Sequence, residues 1–224
     1  MEHGDPMVVM VGVLPESVFW LWISGAVFLI MAVILLSGPF RRERNKLMSA
    51  FLGFLGGMAI FHLLGGAAMY WNIPILMYVA SFAAITGSAF VFKFPLSAII
   101  SPTTRDSLFL LSLLVGWGML TWMLFNSYEM GSVMNAAAFY MIVVSGLISG
   151  FYMIVQGLRI NDPATRIKCI GGGCSIVFCC LLTHLILMYI GFTVLAKLFM
   201  ILTPITVVLS VIVARRFVRT ASIL

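Results

Sequence analysis

The chain has 224 residues, of which 62% are hydrophobic and only 9% charged. That composition excludes an ordinary soluble core and points to a membrane protein. The formal net charge of +6 is spread over several short segments rather than gathered into one patch, which argues against a nucleic-acid surface and for anionic lipid headgroups as its counterpart.

A membrane-crossing helix needs roughly 20 apolar residues. Seven runs meet that requirement, at about 17–38, 47–71, 74–100, 107–126, 135–158, 167–190 and 192–214. The expected fold is therefore an all-α integral membrane protein, a single seven-helix bundle spanning 1–224. The longest polar stretch, Arg159 to Lys168, is too short to fold alone, so any output must come from within the membrane or through a partner. The segment Met1 to Leu14 lacks the basic region of a cleavable signal peptide, and the first run is expected to serve as an uncleaved signal.

Twelve of the thirteen Lys and Arg residues occupy alternate gaps between the runs. Arg41, Arg42, Arg44 and Lys46 follow the first run, and Lys93 and Arg105 flank the gap after the third. Arg159, Arg166 and Lys168 follow the fifth, and Arg215, Arg216 and Arg219 follow the seventh. Basic loops stay cytoplasmic, which places the N-terminus outside and the C-terminus inside a plasma or inner membrane. The other gaps hold Glu2, Asp5 and Glu16, the Trp71–Pro74 turn, the segment with Glu129, and a short turn near Gly191. Trp20, Trp22, Tyr70 and Trp71 fall at the expected outer interface, as an aromatic belt does.

Within the runs, Gly53 with Gly57 and Gly146 with Gly150 are small-xxx-small pairs suited to close helix contact. Gly171, Gly172 and Gly173 open the sixth run, and Pro95 and Pro204 are expected to kink the third and seventh. Thr203 and Thr206 stand ready to satisfy carbonyls freed by Pro204. Cys169, Cys174, Cys179 and Cys180 all lie in the sixth run, away from the outer loops where disulfides form, and read as small packing residues.

Ionisable groups inside lipid are costly and usually have a reason. No Asp or Glu falls in the interior of any run, which argues against proton- or sodium-coupled transport. Three cationic candidates remain in the outer half. His62 lies about nine residues, roughly 14 Å, below the outer end of the second run; His184 about six residues, roughly 9 Å, below that of the sixth; Lys197 about five residues into the seventh.

Together these three could line a pocket for a small ligand or lipid, while Lys197 alone is accounted for by snorkelling to the headgroups. Two histidines at similar depth on two helices also fit a bis-imidazole b-haem, with Gly65 and Gly66 leaving room beside His62. The bland account is that each histidine bonds a hydroxyl such as Thr183 or a backbone carbonyl. A soft-metal set is a further alternative: Met58 precedes His62 by four, Cys180 precedes His184 by four, and Met188 follows by four, each spacing placing donors on one helix face. A retinal Schiff base at Lys197 lacks a carboxylate counter-ion, and Ser145 and Ser149 with His184 lack the loop context of an intramembrane serine protease.

Two partial resemblances bear on function. The seven-span layout, the loop Arg159 to Arg166 and the ending Arg215-Arg216-Phe217 resemble the membrane sensor regions of some histidine kinases, which continue into a kinase where this chain stops at Leu224. Separately, Gly25 to Ile30, Ser101 to Thr104, Leu111 to Val115, and His62 with His184-Leu185 are similar to pieces of the cytochrome b subunit of respiratory nitrate reductase. That family implies five spans and two haems, and the positions of its inner histidines hold residues such as Leu52 and Leu202 here. Neither resemblance spans a complete motif, so neither identifies the family.

The expected function is thus a membrane subunit or sensor-like module acting through other membrane subunits or a cytoplasmic output partner, with catalysis of its own unexpected. The alternatives are a b-haem electron-transfer subunit and a facilitative transporter or channel.

Overall fold

The structure, a computed structural model, describes residues 10–11, 14–37, 46–93, 101–167, 169–171, 173–174 and 177. Apart from a two-residue antiparallel ladder between β1 (Met10–Val11) and β2 (Leu14–Pro15), the described chain is helical. The helices are α1 (Glu16–Ser37), α2 (Lys46–Trp71), α3 (Pro74–Ala89), α4 (Pro102–Phe125), α5 (Met130–Met141) and α6 (Ser149–Gly157). A 3-10 turn, Phe90–Lys93, extends α3, and a π-helical stretch, Ile142–Ile148, joins α5 to α6 into one rod. A further helical stretch begins at residue 163.

Five of these helical segments are long and apolar enough to cross a membrane: Ser17–Leu36, Leu52–Trp71, Pro74–Lys93, Pro102–Phe125 and Met130–Gly157. They answer to the first five expected spans. The seventh span, 192–214, and most of the sixth, 167–190, lie outside the described residues, as do Pro95 and Pro204.

Local sequence explains where the helices begin and end. Asn72 adopts the left-handed conformation (φ 53°), and the Ile73 amide bonds the Ala68 carbonyl at 3.0 Å, closing α2 with a Schellman-type cap. Pro74 then opens α3 at a position whose amide would have no partner anyway. At the end of α4 the same device recurs with Ser127 (φ 52°): its amide bonds Leu124 O at 3.1 Å and that of Tyr128 bonds Met123 O at 3.2 Å.

Three helical stretches start earlier than hydropathy alone places the spans. α4 begins at Pro102 rather than near 107, because Ser101 Oγ accepts from the Thr104 amide at 3.2 Å and caps it. α5 begins at Met130 rather than 135. The stretch after α6 likewise starts at residue 163, where Asp162 Oδ2 accepts from the Thr165 amide at 2.8 Å.

α2 packs on α1 and α3, and α3 in turn contacts α4 and α5. Along α1 the buried residues Val18, Leu21, Gly25, Phe28, Ala32 and Leu35 repeat at three and four, the seam of a coiled-coil-like pair. Leu29, Ile30, Val33 and Ile34 face outward. A Cβ at Gly57 would stand 2.6 Å from the Ala83 carbonyl oxygen and the Gly87 Cα, so α2 and α3 touch backbone to backbone there. A Cβ at Gly53 would run into the Phe90 ring, and Gly173 meets the Gly150 carbonyl in the same manner. Gly53, Gly57 and Gly173 thus mark close contacts, and a Cβ at Gly66 would meet the Trp22 ring at 2.6 Å, whereas one at Gly65 or Gly171 would have nothing within 4 Å.

The antiparallel run of the helices gathers charge by end. Lys93, Arg105, Arg159 and Arg166 lie toward one end, where Lys93 Nζ stands 3.6 Å from Asp106 Oδ1 and 4.1 Å from the Phe109 ring centroid. Glu16 and Glu129 lie toward the other, together with Trp22, Tyr70 and Trp71, whose rings follow one another at 5.9 and 5.8 Å.

Candidate functional site

His62 sits in the third turn before the end of α2 and is 8% exposed. Its Nδ1 lies 2.7 Å from the carbonyl oxygen of Met58, one turn back. A carbonyl only accepts, so Nδ1 carries the proton and donates it. The imidazole stacks on Phe28 of α1 (centroids 5.3 Å, 25° between planes) and meets Phe61 edge-on at 5.2 Å. Its place is therefore the α1–α2 seam, and the backbone-carbonyl account given above holds for it.

Met58 is buried in that same seam with Phe28, Ala32, Leu35 and Leu55. It joins His62 through its carbonyl oxygen. Cys180, His184, Met188 and Lys197 lie outside the described residues, and so does Thr183. Of the expected haem, ligand and soft-metal sets, only the α2 members are placed. Among the described residues no three His, Cys, Asp or Glu side chains gather as a metal site would need.

Several other polar side chains of the spanning helices tie helices together. Trp22 Nε1 donates to Leu63 O at 3.2 Å, joining α1 to α2. Tyr78 of α3 donates to Met123 O at 3.1 Å and to Tyr128 O at 3.3 Å, fixing the end of α4. Trp117 Nε1 donates to Thr86 Oγ1 at 3.2 Å, while that hydroxyl donates to Phe82 O at 2.8 Å. Tyr140 of α5 and Ser112 of α4 pair through their hydroxyls at 2.8 Å, and Tyr140 also bonds the Ser112 carbonyl. Cys169 Sγ donates to Met153 O at 3.3 Å and packs under Gly157, as a small interface residue should. Ser149 Oγ donates to Gly146 O at 3.5 Å within its own helix.

A cleft that the sequence did not single out opens at the end of the bundle carrying Trp71 and Glu129. Its volume is about 200 Å³, and its lining is Met69 from the last turn of α2, Met77 from the start of α3, and Met130, Gly131 and Met134 from the start of α5. The two Schellman-capped turns bring these three helix ends together. The legible signal was methionine on both sides of each turn, at 69 and 77 and at 123 and 130; methionine in an apolar run, however, reads as packing.

Compared with protein-family models, with curated proteins and with solved structures, the chain matches none.

Proposed function

We propose that this chain is a seven-span protein of the plasma or inner membrane, N-terminus outside and C-terminus cytoplasmic, that works as a non-enzymatic subunit or sensor-like module through partner proteins. The observation that carries the reading is how six polar side chains of its membrane-spanning helices are used. Trp22, Tyr78, Ser112, Trp117 and Tyr140 bond across helices and His62 bonds its own helix, so they hold a scaffold rather than converge on a reacting centre. In this reading His62, His184 and Lys197 border an outer-half pocket for a small ligand or lipid. The test is native electrophoresis of mildly solubilised membranes with and without the gene. The chain is expected in a complex of defined mass, and a second membrane or membrane-associated protein should lose abundance or activity on deletion. Migration alone, with every other protein unchanged, would overturn the proposal.

One observation favours a second reading, a b-haem electron-transfer subunit. The Nδ1 proton of His62 is committed to Met58 O, which leaves Nε2 as the lone-pair nitrogen, the arrangement an axial ligand uses. If His184 supplies the other ligand, the purified protein shows a reduced-minus-oxidised band in the b-haem region that both His62→Ala and His184→Ala remove. A colourless preparation from haem-replete cells sinks this alternative.

A further inference from the structure

Four of the five residues lining the 200 Å³ cleft are methionines, in a chain with 16 Met among 224 residues. The surrounding core mixes Ala, Ile, Leu, Val, Phe and Tyr with its methionines, so this lining is far richer in sulfur than its surroundings. For a hydrocarbon occupant Leu would serve as well as Met. What four thioethers add is soft, neutral donor capacity, which selects Cu(I) and its analogue Ag(I) over harder ions.

The geometry suits a small cation reached from the bundle end. Met77 is buried, while Met69, Met130 and Met134 are partly buried, so the sulfur-bearing chains extend from the core toward the surface. Three rotatable bonds let each thioether swing inward without moving its helix. A Cβ at Gly131 would have nothing within 4 Å, so the lining is open beside it. Glu129, exposed and next in the chain to Met130, places a carboxylate at the same end and favours approach of a cation. We propose that Met69, Met77, Met130 and Met134 form a thioether site for a soft monovalent metal ion, Cu(I) or Ag(I), at the end of the bundle formed by the α2–α3 and α4–α5 turns. The site shares no residue with the His62 region, so it stands or falls independently of the partner-dependent function.

Thiols would compete for such ions, so the test uses the full-length protein with Cys169, Cys174, Cys179 and Cys180 all changed to Ala. Ag(I) is titrated into it in detergent by calorimetry. One equivalent is expected to bind. The double variant Met69→Leu/Met134→Leu, which keeps side-chain volume nearly unchanged, should bind at least about tenfold more weakly. Met153→Leu, outside the cleft, should bind as the parent does. X-ray absorption on the loaded parent should show a sulfur-only first shell, a readout independent of whether any variant folds. Absence of binding, equal binding by the double variant, loss on Met153→Leu, or nitrogen in the first shell would each overturn the site.

Discussion

Gly56 and Gly57 are adjacent on α2 yet differ completely in what a side chain would meet. At Gly57 an added Cβ presses on α3 backbone at 2.6 Å, whereas at Gly56 nothing lies within 4 Å. Backbone cannot rotate aside as a flexible side chain can. Gly57→Ala should therefore separate α2 from α3 and cost about 1–3 kcal/mol, the usual scale of overpacking. Gly56→Ala gains helix propensity and should stabilise by up to about 1 kcal/mol. Equilibrium unfolding in mixed micelles, followed by helical circular dichroism, reads both; two equal shifts would contradict the α2–α3 contact. The small-xxx-small spacing of Gly53 and Gly57 was legible in sequence as a face suited to close helix contact, but not that Gly57 would meet α3 backbone while Gly53 meets the Phe90 ring. His62 was legible as a rarity, but not its partner: that the ring bonds Met58 O and lies against Phe28 depends on which face α1 presents. The methionine cleft escaped because its members stand up to 65 residues apart, from Met69 to Met134, and only the packed helix ends bring them together.

At the scale of elements, hydropathy and helix capping report different boundaries. Hydropathy marks the stretch that tolerates lipid, and for α1 and α2 this coincides with the helix to within a residue. For α4 the two diverge, since Thr103, Thr104, Arg105 and Asp106 are polar yet sit in the first turns behind the Ser101 cap. The capping residues were visible in the sequence but carry no weight in an average of apolarity. The π-helical stretch Ile142–Ile148 had no such marker. Its wider turn displaces the normal backbone ladder, and at its end the Gly146 carbonyl accepts from both the Ser149 amide and the Ser149 hydroxyl. α3 shows the opposite case to α4: it touches α2, α4 and α5, and its buried Ala80, Ser81, Ala84, Ser88 and Ala89 are small enough to let those helices close in.

For the whole molecule, the proposed orientation follows from which end carries the cations. Five described spans starting outside deliver the chain to the cytoplasm after α6, where Arg159 and Arg166 lie. Positive residues resist translocation, whereas Glu16 and Glu129 at the opposite end do not. Two sites separate the alternatives, Ser127 in the α4–α5 turn and Asn161 after α6, both exposed. In the cysteine-free protein, Ser127→Cys should react in intact cells with a membrane-impermeant maleimide, and Asn161→Cys only after the membrane is opened. The inverse pattern would place the N-terminus inside and overturn the charge argument. A reporter fused after Leu224 then counts the remaining crossings by parity. From a cytoplasmic Asn161, two further spans return the C-terminus to the cytoplasm, while one leaves it outside. A cytoplasmic fusion together with labelling at Ser127 is the result that seven spans require, and an external fusion would reduce the bundle to six.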